Sequence, residues 1–197
     1  MKLLIAEQDR DFPAAFCPLL ALHGHETAAV YDGTQVLARL AAEKWDAALL
    51  DDSLPRISHT ELVAEFKKRS VPVIVLTAER LSTVLLTRKE LANAYLSLPF
   101  LPDELTALLD SIDRLRKTEK RLVFGDAEIS PSEFTLCGTL PVTAGEIEVF
   151  SSVLEKKPVN GRQAGAYVYS LNAKLEKLNK KTRIRYLINE GYRLVRI

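Results

Sequence analysis

The chain has 197 residues, of which 47% are apolar and 27% charged, with 27 basic against 26 acidic side chains. Eight glycines and nine prolines are too few for a collagen-like or disordered chain, and no window of about 18 apolar residues offers a membrane span. The net charge of +1 hides an asymmetry: residues 1–117 carry 14 basic and 17 acidic groups, while residues 156–197 carry 11 and 2, a +9 end suited to a polyanion behind an acidic module.

The opening MKLLIAEQDRDF becomes charged too soon for a secretory signal, so a cytoplasmic location is expected. Cys17 and Cys137 stand among apolar neighbours and read as buried thiols of a reducing compartment. Short apolar runs follow at Leu3–Ala6, Thr27–Val30, Ala47–Leu50, Val73–Leu76 and Ala94–Leu96, the pattern of strands buried on both faces of a parallel sheet. Helical spacing lies between them at Phe12/Phe16/Leu19/Leu20, Val36/Leu37/Leu40 and Leu62/Val63/Phe66, and after them at Leu105/Leu108/Leu109/Ile112/Leu115. The alternation predicts an α/β domain over 1–117, a five-stranded doubly wound parallel sheet with its site at the carboxyl ends of the strands.

Residues 118–121 read as a linker within the charged run Arg116–Arg121. Over 122–197 the pattern changes to strand-like segments at Leu122–Ile129 and Thr135–Val142, the second with a turn at Gly138, helices at Ala144–Glu155 and near Gln163–Asn179, and a hairpin Arg183–Ile188/Tyr192–Ile197 turning at Asn189–Gly191. This is the outline of a small α+β winged helix-turn-helix domain.

The predicted strand ends carry Glu7-Gln8-Asp9, Asp51-Asp52, Thr77-Ala78 and Tyr95-Leu96-Ser97-Leu98-Pro99-Phe100. Joined with Asp51-Asp52-Ser53-Leu54-Pro55, these residues resemble the receiver domain of two-component response regulators. The resemblance places Asp51 at the phosphoacceptor and Thr77 and Tyr95 at the switch positions. It implies a weak metal site at Glu7 and Asp51, a histidine kinase upstream, and pairing of two copies through the fourth helix, fifth strand and fifth helix. Two positions depart from the pattern: Gln8 stands where a second acid would hold Mg²⁺, and Leu98 where a lysine would meet the phosphoryl oxygens. Phosphoryl transfer to a carboxylate requires neutralisation of charge, so Asp51 is expected to be a weak or vestigial acceptor with no cofactor, or with weakened Mg²⁺. Apolar residues Leu81, Val84, Leu85 and Leu108 offer a dimer face that needs no phosphorylation.

Residues 121–197 resemble, less closely, the winged-helix effector of OmpR/PhoB-type regulators, through Leu171-Asn172-Ala173-Lys174-Leu175 and Gly191-Tyr192-Arg193-Leu194. Only about a dozen residues separate the two helices, too few for the usual positioning helix. One helical stripe, Tyr167, Val168, Leu171, Leu175 and Leu178, reads as core. The other side predicts the contacts to double-stranded DNA: Tyr169, Ser170, Asn172, Ala173, Lys174 and Lys177, extended by Lys181, Arg183, Arg185 and Arg193. His23, His25 and His59 lack metal-ligand spacing, and no phosphate loop, nucleophile elbow or Cys/His pair appears, so no enzyme is expected. The expected function is a DNA-binding transcriptional regulator acting as a phosphorylation-independent dimer. The alternatives are a conventional phosphorelay regulator switched at Asp51 and a protein-interaction module without DNA binding.

Overall fold

A computed structural model describes residues 1–87, 92–159 and 163–197, without the side chain of Leu86. The apolar runs of the first half become β1 (Lys2–Ala6), β2 (Glu26–Val30), β3 (Ala47–Asp51), β4 (Val73–Thr77) and β5 (Ala94–Ser97). All pair in parallel in the order β2-β1-β3-β4-β5, so the chain reverses its winding direction between β1 and β3. Every residue of β3 and β4 is buried, which is why these strands read as unbroken apolar runs rather than alternating ones. The edge strand β2 begins at exposed Glu26.

Helices α1 (Asp11–Leu22), α2 (Gly33–Ala42) and α3 (His59–Lys68) connect these strands, followed by α4 (Leu81–Thr87) and α5 (Pro102–Arg116). Asp32 caps α2 by accepting from the Gln35 amide, and Ser58 with Glu61 closes a reciprocal capping box on α3. Leu62, Val63 and Phe66 then lie one turn apart and are buried, as their spacing requires.

The chain divides into two compact units. One holds residues 1–80 and the chain from β5 to Asp110; the other takes α4 and everything from Ser111 onward. In the second unit, the strand expected at 122–129 is broken by a turn, and the segment 135–142 turns at Gly138 as expected, giving β6 (Leu122–Phe124), β7 (Ala127–Ser130), β8 (Thr135–Leu136) and β9 (Leu140–Pro141). The turns fall where Gly125 and Gly138 adopt positive φ, a conformation that costs glycine nothing and reverses the chain. The four strands form one antiparallel sheet in chain order. Helices α6 (Ala144–Leu154) and α7 (Ala164–Lys177) follow, and a hairpin of β10 (Thr182–Leu187) and β11 (Gly191–Arg196) closes the unit.

Among the described residues no helix stands between α6 and α7, as the short spacing predicts. The two helices approach closely at Gly145, where a methyl group would sit 2.1 Å from Cζ of Tyr167. Both cysteines are free and half-buried rather than buried.

Candidate phosphoryl site and nucleic-acid interface

The carboxyl ends of β1 and β3 bring Glu7 and Asp51 together, only 8% and 7% exposed. Burial pushes the Glu7 carboxyl up to about 7, and the adjacent Asp51 carboxylate adds to the shift, against the amide of Asp9 that donates to Glu7 Oε1. Asp51 Oδ1 accepts from both the backbone amide and the hydroxyl of Ser53, at 2.8 and 2.7 Å. Gln8 Nε2 in turn donates to Ser53 Oγ at 2.9 Å. The residue in the position of the second acid thus supports a hydrogen-bond chain that ends on the Asp51 carboxylate.

The other expected positions surround this pair. Thr77, at the end of β4, is fully buried, and its hydroxyl accepts from the Glu79 amide at 3.1 Å. Tyr95 is turned inward, 4% exposed, with its hydroxyl accepting from the Ala92 amide at 3.0 Å. Leu98 is 47% exposed and supplies no donor.

The donor set does not fit a firmly held divalent cation. Asp51 Oδ1 already accepts twice from Ser53, and Gln8, in place of a second acid, offers a neutral amide oxygen where a carboxylate would neutralise the ion. Among the described residues no cluster of three His, Cys, Asp or Glu side chains has metal-holding geometry.

In the second unit, α7 carries the candidate nucleic-acid contacts, and the structure separates them into two groups. Tyr169 is 63% exposed, and Ala173 and Lys177 are also exposed, where the sequence places them. Ser170 is not available, being only 2% exposed. Asn172 is also a correction: its Nδ2 donates to the Ile184 carbonyl and its Oδ1 accepts from the Ile184 amide, both at 2.8 Å, which ties α7 to β10. Lys174 is a third. Its Nζ lies 2.7 Å from both carboxylate oxygens of Glu146, a side chain with no exposure, and the pair joins α6 to α7.

Sequence reasoning misses Glu146 as a partner. It also accepts from the Thr143 amide at 2.8 Å in the capping box of α6, and the spacing Thr143-x-x-Glu146 is the sequence signal that marks it. Asp126, likewise missed, accepts from the amides of Lys181 and Thr182 and from the Thr182 hydroxyl, fastening the β6–β7 turn to the hairpin. These bonds hold its carboxyl down to about 2.

The hairpin register sets Arg185 directly opposite Arg193, with Arg183 two residues along on the same face. Arg183 donates to the carbonyls of Lys180 and Thr182, and Arg193 to the Tyr192 carbonyl, so these two guanidinium groups are oriented by backbone. Lys181 is exposed. The expected apolar dimer face on α4 is corrected as well: Leu81, Val84 and Leu85 are at most 6% exposed, and α4 packs with α7 inside the second unit.

A parallel sheet in the order β2-β1-β3-β4-β5, with acids closing β1 and β3 and a buried hydroxyl closing β4, defines a receiver-type signalling module. Residues 3–110 match the family described as the response regulator receiver domain, and the chain belongs to that family. It is 27% identical over 220 residues to the transcriptional regulatory protein TcrA of Mycobacterium tuberculosis, covering 98% of this chain and 87% of that one. To the DNA-binding response regulator MtrA of Mycolicibacterium smegmatis it is 28% identical over 203 residues, 89% of this chain and 88% of the other. A solved mutant of RitR shares the fold over 100% of this chain and 99% of its own, with a TM-score of 0.66 at 18% identity. The chain is thus a two-component response regulator with a smaller α+β unit behind its receiver.

Proposed function

We propose that this response regulator binds duplex DNA through its second unit and controls transcription without phosphorylation of Asp51. The observation that carries DNA binding is the paired arginine face of the hairpin. Like charges directly opposite on adjacent strands are destabilising; Glu190, 3.7 Å from Arg193, offsets part of the repulsion between Arg185 and Arg193, and a phosphodiester backbone relieves the rest. The names of TcrA and MtrA support the same reading.

Independence from phosphorylation follows from charge. A phosphoryl group on Asp51 would bring a dianion into a site where Leu98 supplies no cation and Gln8 supplies no second carboxylate to hold a metal. The unmodified chain is therefore the active form. An electrophoretic mobility shift of the untreated full chain on genomic fragments, weakening steeply between low and moderate salt, tests the first half. Incubation with a small phosphodonor and Mg²⁺ followed by intact-mass measurement tests the second. A stoichiometric gain of one phosphoryl group, absent in Asp51→Ala, would establish the conventional switch instead.

A further inference from the structure

Residues 81–87 lie within the stretch that matches the receiver family, and along the chain α4 stands between Thr77 and Tyr95, at the ends of β4 and within β5. By packing it belongs elsewhere. α4 is part of the second unit, and its principal packing partner among the described residues is α7. Leu81, Val84 and Leu85 follow helical spacing, so they put one apolar stripe on α4, and that stripe is buried.

Three elements therefore pack on α7. α6 and β10 do so with polar ties, Lys174 to Glu146 and Asn172 to Ile184, while α4 brings its apolar stripe. The end of α5 is drawn into the same unit: Ser111 and Arg114 both donate to Oε1 of Glu148 on α6, Arg114 at 2.9 Å. The segment carrying α4 is fastened at the receiver strand ends. Before the helix, the Glu79 amide donates to Thr77 Oγ at 3.1 Å and the Glu79 carbonyl accepts from Ser97 Oγ at 3.4 Å. Beyond it, the Ala92 amide donates to the Tyr95 hydroxyl at 3.0 Å.

We infer that α4 is a shared helix, a receiver element in the chain and a structural part of the DNA-binding unit by packing. Release of its apolar stripe unseats α7, and duplex DNA bound at α7 holds α4 in place, because coupling between two equilibria acts in both directions. The DNA half of this statement rests on the function proposed above; the packing half does not. Whatever takes the stripe, a second copy of the chain included, must take it from α7.

Hydrogen exchange of the full chain, read residue by residue by nuclear magnetic resonance with and without saturating duplex DNA at low salt, tests both halves. Val84 has no exposure, and Val84→Ala leaves a cavity under the stripe. The amides of Val168, Leu171 and Leu175 in α7 are expected to exchange about tenfold faster, and those of Leu49 and Leu50 in β3 at the parent rate. Val36→Ala, in α2 and equally buried, is the control and should do the reverse. Should Val84→Ala fail to fold, Val84→Thr, which keeps the volume and adds a buried hydroxyl, is expected to give the same pattern. In the parent, DNA should slow exchange of the Leu85 amide by about tenfold or more.

Faster exchange in β3 with α7 unchanged, or equal acceleration of both, assigns α4 to the receiver and overturns the inference. DNA binding that leaves the Leu85 amide unprotected overturns the coupling while the proposed function stands. Absence of binding to any duplex overturns the proposed function, and the shared helix is then decided by exchange in the Val84 variants alone.

Discussion

Replacing Lys174 with methionine separates a structural from a nucleic-acid role for this residue. In the folded chain its ammonium lies 2.7 Å from the carboxylate of Glu146, and the two side chains are 12% and 0% exposed. At an effective dielectric constant near 20, unit charges about 4 Å apart attract by roughly 4 kcal/mol, and removing one partner of a buried pair costs about 3–5 kcal/mol because the other charge is left enclosed. Lys174→Met is therefore expected to remove about 3–5 kcal/mol from the second unit, a large part of the roughly 5–15 kcal/mol typical of a domain. Adding Glu146→Gln, which keeps a carbonyl for the Thr143 cap without the charge, is expected to recover most of that loss. Urea unfolding followed by far-ultraviolet circular dichroism reads the helices of both units. Fluorescence of Trp45, the one tryptophan, reads the receiver alone and should keep its midpoint. The reasoning fails if Lys174→Met unfolds within about 0.5 kcal/mol of the parent, the scatter of ordinary surface substitutions. It fails equally if the variant keeps its stability and loses only DNA affinity, since the lysine would then be serving a phosphate.

Three further expectations concern the same unit. Gly145→Ala places a methyl 2.1 Å from the Tyr167 ring, so it should lower the midpoint of the second unit by the equivalent of about 1–3 kcal/mol, with partial recovery when Tyr167 is shortened to leucine. Asn172→Ala leaves the amide and carbonyl of Ile184 without their side-chain partner; a loss of about 1–3 kcal/mol and faster amide exchange at Ile184 are expected, and unchanged exchange would contradict the helix-to-hairpin tie. The carboxyl of Asp126 is held down to about 2 from an ordinary 3.8, so the folded state binds its proton less readily than the unfolded state does. Its contribution is complete above pH 3.8 and fades as pH falls toward 2, so thermal melts of the parent and Asp126→Asn should differ at pH 7 and converge near pH 2. A pH-independent difference would assign the effect to shape.

The receiver is legible from its residues because its determinants are local or periodic. The apolar runs of β1, β3 and β4 fix strands buried on both faces, while the run of edge strand β2 is only half-buried, and the short acidic or hydroxyl ends fall at the carboxyl edge whatever the details of packing. The absence of cationic and acidic support at Leu98 and Gln8 is equally visible, since the missing chemistry is a property of the side chain itself. The hydrogen-bond chain from Gln8 through Ser53 to Asp51 is not, because it joins positions 45 residues apart. In the second half, the turn at Gly138 is legible, while the apolar pattern predicts a continuous strand where Gly125 makes a turn: β-propensity of the flanking residues does not register a single positive φ.

The sequence by itself determined the order of elements, the acidic-then-basic division of charge and the basic C-terminal hairpin. Only the tertiary structure decided which polar residues of α7 remain available to a partner. On a helical wheel Asn172, Lys174 and Lys177 look alike, polar residues beside or opposite the apolar stripe. Their fates diverge because Ile184, 12 residues away, meets the first, Glu146, 28 residues away, meets the second, and the third remains exposed at the end of the helix. Desolvation makes the difference: a polar group drawn in by folding must be matched inside the protein, and breaking that match to reach DNA would cost the bonds that hold α7 in place.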